Sequence, residues 1–239
     1  MPEGIRLNKY LSDAGVCSRR KADALVENGR VCIDGHSALL GERVFPDSVV
    51  LVDGEKVVSE EKKVILIYNK PIGVVCSTVN QGKEKNNIVD LIHYPLRIYP
   101  VGRLDKDSEG LILLTNDGNI VNRMMRAGNM HEKEYIVSVD HSISKDFLQN
   151  IQKGVKIEEG LTRPCKASKL NDKSFQIILT QGMNRQIRKM CHALGYEVRA
   201  LKRIRIMNIS LGDLAVGCYR EITREEWTEL GEKICNSRN

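Results

Sequence analysis

Near the middle of the chain, Gly102-Arg103-Leu104-Asp105-Lys106-Asp107-Ser108-Glu109-Gly110-Leu111 reads as a polar loop running into an apolar strand. Asp105 lies between Arg103 and Lys106, and nearby positive charge favours the ionised form of a carboxylate. Such a group is equipped for nucleophilic or general-base work. A loop Asp is more often a turn or capping residue, and local physics does not separate Asp105 from Asp107. A second concentration of chemistry is cationic. Residues 182–205 hold seven Lys/Arg (Arg185, Arg188, Lys189, Arg199, Lys202, Arg203, Arg205) against one acid, Glu197. That density is costly to assemble unless a polyanion neutralises it, although a solvated basic face is the plainer reading. A third cluster is N-terminal, where Arg6, Lys9, Arg19, Arg20 and Lys21 fall close enough to share one phosphate backbone.

The elements that must position these groups follow from periodicity. Leu7, Tyr10, Leu11 and Ala14 keep helical spacing up to Gly15, and Ser18 is a fitting N-cap for a second helix, Arg19 to Asn28, closed by Gly29. Strands Val31–Ile33 and Val49–Val52 end at the turn dipeptides Asp34-Gly35 and Asp53-Gly54, with polar, turn-rich residues 41–46 between them. Residues 59–63, Ser-Glu-Glu-Lys-Lys, contain no apolar side chain and read as a linker between a module at 5–58 and a larger domain at 64–235. The larger domain opens with the buried-strand run Val64–Tyr68, which stops at Asn69-Lys70-Pro71. Further strands are expected at 110–115, 134–139, 175–180 and 198–211, and helices at 120–126, 145–151, 185–194 and 224–234. Because strands and helices do not alternate strictly, the expected class is α+β with a mixed or antiparallel sheet rather than a doubly wound one.

Composition narrows the function classes. At 239 residues and 41% hydrophobic the chain can bury a sizeable core, and no apolar run is long enough for a membrane span. The N-terminus lacks a secretory pattern, so a cytoplasmic protein is expected. The net charge of +6 is uneven: residues 1–60 hold 8 Lys/Arg against 10 Asp/Glu, and residues 61–239 hold 29 against 21. Seven cysteines without a C-x-x-C pair, and dispersed histidines, argue against a disulfide framework or a zinc site. Buried, reduced thiols are expected, with no metal.

Two resemblances sharpen this reading. Arg6-Leu7-Asn8-Lys9-Tyr10-Leu11, Gly15, Ser18-Arg19-Arg20-Lys21-Ala22, Gly29-Arg30-Val31 and Asp34-Gly35 together resemble the small RNA-binding module first described in ribosomal protein S-four. That implies binding of structured RNA, largely through backbone and shape. The 102–111 segment resembles the catalytic motif of pseudouridine synthases, in the branch that includes RsuA, RluB, RluE and RluF. Other features of that branch occur in order: Asn69-Lys70-Pro71-x-Gly73 with Cys76-Ser77, Thr115-Asn116-Asp117-Gly118, Lys133-Glu134-Tyr135, and Gly182 to Met190. Arg126-Ala127-Gly128-Asn129 followed by His131-Glu132-Lys133-Glu134-Tyr135 is most similar to the RluF type.

The resemblance implies isomerisation of a uridine in structured RNA to pseudouridine without a cofactor, with Asp105 catalytic and Asp107 structural. It places Tyr135 against the uracil, Arg188 paired with the catalytic carboxylate, and Ile187 beside the base. On spacing alone Ile187 belongs with Met190, Cys191 and Leu194 on a helix face and is equally a core residue. Arg103 is expected to fill the space left by the flipped base. Lys70 and Asn184 complete the implied substrate contacts, and Arg185 and Lys189 join Arg6, Lys9, Arg19, Arg20 and Lys21 as RNA-binding residues. Large-subunit rRNA is the expected substrate, with a tyrosine tRNA as a second, and a monomer is expected. The chain ends soon after Trp227 without the basic tail some members carry, which shifts the expected RNA affinity towards the N-terminal module. The alternative of another class is a non-catalytic RNA-binding ribosome-assembly factor. A nuclease is disfavoured because the paired carboxylates or histidines of that chemistry are missing.

Overall fold

The computed structural model describes residues 4–58, 62–77, 86–126, 128 and 130–235. By contact the chain divides into two compact units, Met1–Lys63 with Asn116–Gly118, and Val64–Thr115 with Asn119–Asn239. Most of the stretch read as a linker, and Ala127 and Asn129 of the 126–129 motif, lie outside the described residues.

In the first unit, helices Leu7–Asp13 and Arg19–Glu27 share a core with the strands Val31–Ile33 and Val50–Val52, built on Leu7, Leu11, Ala22, Leu25, Val31 and Val50. The Ser18 hydroxyl accepts from the Lys21 amide at 3.3 Å, capping the second helix as its residue type predicts. Asp34-Gly35 and Asp53-Gly54 all have positive φ (49°, 86°, 53° and 84°), the conformation that two-residue hairpin turns require. The polar stretch 41–46 is not loop throughout. It carries a short strand, Arg43–Val44, that pairs with Ile5–Arg6 and buries Val44.

The second unit is built on a nine-stranded sheet. Its main path runs Lys166–Asn171, Ser174–Leu179, Lys133–Val139, Val198–Ile206, Glu109–Thr115, Ile65–Lys70, Tyr219–Glu221. All these pairs are antiparallel except Val198–Ile206 with Glu109–Thr115, so the sheet is mixed as expected. The continuous apolar runs at 64–68 and 111–114 arise because both faces of the sheet are covered. Leu66, Tyr68, Ile112 and Leu114 face a core closed by Ile88, Phe147, Ile187 and Met190. Ile65, Ile67, Leu111 and Leu113 face one closed by Ile120, Met124, Leu230 and Ile234. Each fully buried side chain of this kind stabilises the fold by about 1.5–3 kcal/mol.

Three local departures matter for the site. The first strand continues past Tyr68 through Asn69 and Lys70. The expected strand 198–211 is two, Val198–Ile206 and Ile209–Ser210, reversed at Met207, which takes a positive φ of 53°. The cysteines are not uniformly buried: Cys17, Cys76 and Cys191 are, but Cys218 and Cys235 are exposed. Among the described residues no helix is long and apolar enough to cross a membrane.

Candidate active site

The polar loop Gly102–Ser108 leads from the strand Tyr99–Val101 into Glu109–Thr115, and bonds to its main chain hold it from several directions. Gly73, with φ of 90°, donates its amide to Lys106 O at 2.7 Å. The Leu104 amide donates to Cys76 Sγ at 3.4 Å, and that thiol donates back to Leu104 O at 3.2 Å. Arg203 is 3% exposed; it donates from Nε to Leu111 O at 2.7 Å and from Nη1 to Arg103 O at 3.4 Å. Arg188 donates from Nη2 to Asp107 O at 3.0 Å and to the Ser108 hydroxyl at 3.2 Å. A loop fixed by so many main-chain bonds presents its side chains at defined positions.

One of those side chains is Asp105. It lines a cleft of about 480 Å³ whose wall also contains Arg103, Tyr135, Asn184, Arg185 and Ile187. Asp105 is the single carboxylate among the lining residues, and among the described residues its carboxylate has no ion pair or side-chain hydrogen bond. Asp107 differs in every respect. It is absent from the cleft wall and takes two bonds from Arg185, at 3.1 and 2.9 Å, and a 3.5 Å contact from Arg188 Nε. Partial burial raises the Asp107 carboxyl, but Arg185 and Arg188 outweigh it and hold the group below the usual range. The equivalence of the two acids in the sequence is thus broken by arginines 78 and 81 residues away.

Tyr135 is buried, and its ring forms part of the wall with the Arg203 guanidinium carbon 6.0 Å from the ring centroid. Ile187 is both things it was expected to be, a member of the core and a lining residue. Arg103 and Asn184 are exposed on the wall.

Four of the expected site residues have partners within the protein. Arg188 does not pair with Asp105; its fork is taken up by Asp107 and Ser108, so here it braces the loop. Lys70 is fully buried outside the cleft wall, donating to Pro71 O at 2.9 Å and Val74 O at 3.0 Å. Burial lowers its pKa, opposed by Cys76, Asp105 and Asp107, and its work is to hold the turn that reaches Lys106. Lys189 is engaged by Glu158 and Glu159, and Lys9 by Asp13 one helical turn on, so neither is a free cation. Arg185 is likewise tied to Asp107, although it remains at the rim. By contrast Arg6, Arg19, Arg20 and Lys21 are exposed and have no ion pair among the described residues.

Two further cations, Lys133 and Arg203, line the cleft. Lys133 appeared as part of a motif and Arg203 as one of seven basic residues. Alternation along Val198–Ile206 would put Arg203 and Arg205 on one face. A register shift opposite Glu134/Tyr135 changes that, so Arg203 and Ile206 both line the cleft. Arg205 turns instead to Glu132, at 3.0 Å, and Glu134. Nothing short of the three-dimensional pairing reveals such a bulge.

Residues 64–193 match the family model described as RNA pseudouridylate synthase, and residues 5–50 match the S4 domain. The chain is 47% identical to the dual-specificity RNA pseudouridine synthase RluF of Escherichia coli K12, over 98% of this chain and 80% of that protein. It is 39% identical to the ribosomal large subunit pseudouridine synthase B of Bacillus subtilis, over 94% of this chain and 95% of that one. A crystal structure of a pseudouridylate synthase superposes with a TM-score of 0.70 at 27% identity, covering 95% of this chain and 99% of that one.

Proposed function

The chain belongs to the RNA pseudouridylate synthase family and is an RNA pseudouridine synthase, and we propose that Asp105 is the residue on which its reaction turns. One observation carries the proposal: Asp105 is the sole carboxylate among the residues lining the cleft, and among the described residues it has no ion pair. The reaction breaks the bond from C1′ to N1, turns the uracil and joins C1′ to C5, with no redox change and no water consumed. An unpaired carboxylate beside a bound uridine is placed to add to C1′ or to take a proton from the ribose.

The other residues serve that step. Tyr135 and Ile187 give the uracil a wall to lie against while it turns. Arg103, exposed at the mouth, takes the place of the extruded nucleotide. Asn184 and Arg185 meet the RNA at the rim. Arg188 acts through the loop it braces and is a positioning residue. The B. subtilis relative is named for the ribosomal large subunit, and the E. coli relative for dual specificity. These names support large-subunit rRNA as the main substrate, with a tRNA as a second. An rRNA substrate puts the enzyme in the cytoplasm.

The test is Asp105→Asn in the purified full chain. Pseudouridine formation in large-subunit rRNA is expected to fall on the order of 10⁴-fold, with RNA affinity nearly unchanged. A variant that modifies RNA at the wild-type rate sinks the assignment. Mapping pseudouridine in cells with and without the protein identifies the uridine, and the absence of any lost rRNA or tRNA position contradicts the substrate.

A further inference from the structure

The cleft holds one more reactive side chain that the scheme above does not use. Lys133 begins the strand Lys133–Val139, two residues before Tyr135, and both side chains line the cleft. Its cross-strand neighbours, Leu179 on one side and Ile206 on the other, are apolar and line the cleft too. The ammonium donates to His131 O at 3.4 Å, a long bond, and no carboxylate among the described residues pairs with it. Of the charged and titratable groups facing it from the other walls, Arg103, Arg126, Arg185 and Arg203 are cations, His131 is held by Arg123 O, and Asp105 is the one acid. Arg203 itself has a buried Nη2 without a partner among the described residues.

A half-buried ammonium among apolar and cationic neighbours is unfavourable unless an acceptor arrives. The reaction produces one. When C1′–N1 breaks, the bonding pair stays on the base and leaves an anion spread over N1, O2 and O4. We propose that Lys133 is a catalytic residue that touches the substrate, its ammonium donating to a uracil oxygen and stabilising the detached base as an anion while C5 replaces N1 opposite C1′. This rests on the assignment of the cleft as the active site. The step balances without Lys133 giving up its proton: C5 bonds to C1′ with the pair carried by the anion, one proton leaves C5, and N1 gains one. The role is that of donors aimed at charge that develops only during reaction.

Burial, with Arg203 adding to it, pushes Lys133 down to about 8. The ammonium is present below that pH and lost above it, so the single-turnover rate is expected to fall as pH rises through about 8. The experiment measures single-turnover pseudouridine formation in an rRNA fragment across pH, with RNA affinity measured in parallel. Lys133→Met is expected to lower the rate about 10²–10³-fold, leave affinity within about threefold, and give a residual rate that is flat through pH 8. Lys133→Arg, which keeps a permanent cation, is expected to recover much of the rate and abolish the alkaline fall. The proposal is overturned by a Lys133→Met rate close to wild type. It is equally overturned if the fall near pH 8 persists unmoved in either variant, since another group then titrates. Asp105→Asn is run alongside: if that variant stays active, the reading of the cleft fails, whereas an inactive Asp105→Asn beside an unaffected Lys133→Met overturns the lysine role alone.

Discussion

At the scale of the residue, two acids that looked alike have separate duties. Asp105 faces the cleft alone, and Asp107 holds Arg185 and Arg188 at the side of it. The loop and its polarity were legible in the sequence, but the choice between the acids was not, because it depends on side chains 78 and 81 residues away. The order of family motifs pointed to Asp105, and the same resemblance gave Arg188 a partner it does not have here. Lys70 shows how little a motif says of placement: expected at the substrate, it donates to two carbonyls in the interior. Asp107→Asn tests the division of labour. It removes the carboxylate that orients both arginines but leaves Arg188 its bonds to Asp107 O and Ser108. Half-exposed ion pairs contribute about 1 kcal/mol or less each, so the expected loss of kcat/KM is about 3–30-fold, against the near-complete loss for Asp105→Asn. An Asp107→Asn enzyme as inactive as Asp105→Asn would reverse the two roles. Sign follows from the lowered carboxyl: the pairing is present above its unfolded pKa and lost as pH falls through the folded one, so acid weakens the loop rather than tightens it.

At the scale of the element, hydrophobic period found the strands that carry the site, including the doubly covered 64–68 and 110–115, and all the longer helices. Elements without an apolar signal were missed. Lys166–Asn171 is a sheet edge with mostly exposed side chains and two lysines, a composition that suits an edge and hides a strand. The strand beginning at Val198 was read as straight, and its register shift and its reversal at Met207 were invisible because both depend on pairing. The parallel junction of Glu109–Thr115 with Val198–Ile206 joins the Asp105 loop to the strand bearing Arg203, and it is tight. Gly110 lies opposite Arg203 with φ of 113°, and a Cβ there would stand 2.3 Å from the Arg203 carbonyl oxygen. Main chain cannot rotate away as a flexible side chain can. Gly110→Ala is therefore expected to destabilise by more than about 3 kcal/mol, combining backbone strain with overpacking. Gly195→Ala is the control, since Gly195 has φ of 84° but open space around its Cα; about 1–2 kcal/mol is expected there. Urea unfolding of the two variants reads the difference, and equal midpoints would show that the close approach at Gly110 relaxes freely.

At the scale of the whole molecule, charge is allotted differently in the two units. The larger one has the excess of basic residues, but many of them are engaged by acids of the same unit, as Arg185, Lys189, Lys202 and Arg205 are. The N-terminal unit has no excess, yet Arg6, Arg19, Arg20 and Lys21 stand exposed without ion pairs among the described residues. Net charge alone points to the larger unit for backbone binding, whereas the exposed cluster of those four cations supports the smaller one. Lys9, the fifth of the cluster, is paired with Asp13 one turn along the same helix. If the four cations meet phosphates, each releases counterions on binding, and log affinity then falls with log salt by roughly 0.7–0.9 per contact. Replacing all four with Gln is expected to lower affinity for an rRNA fragment at least 10-fold in low salt and to reduce that slope by about 3. The single-turnover rate at saturating RNA should stay within about threefold of wild type, because the proposed site of the chemistry, the cleft around Asp105, is untouched. Affinity titrations at several salt concentrations, paired with single-turnover rates, separate the two effects. An unchanged slope would mean that the exposed arginines of the first unit do not touch the RNA backbone, and that the larger unit binds its substrate unaided.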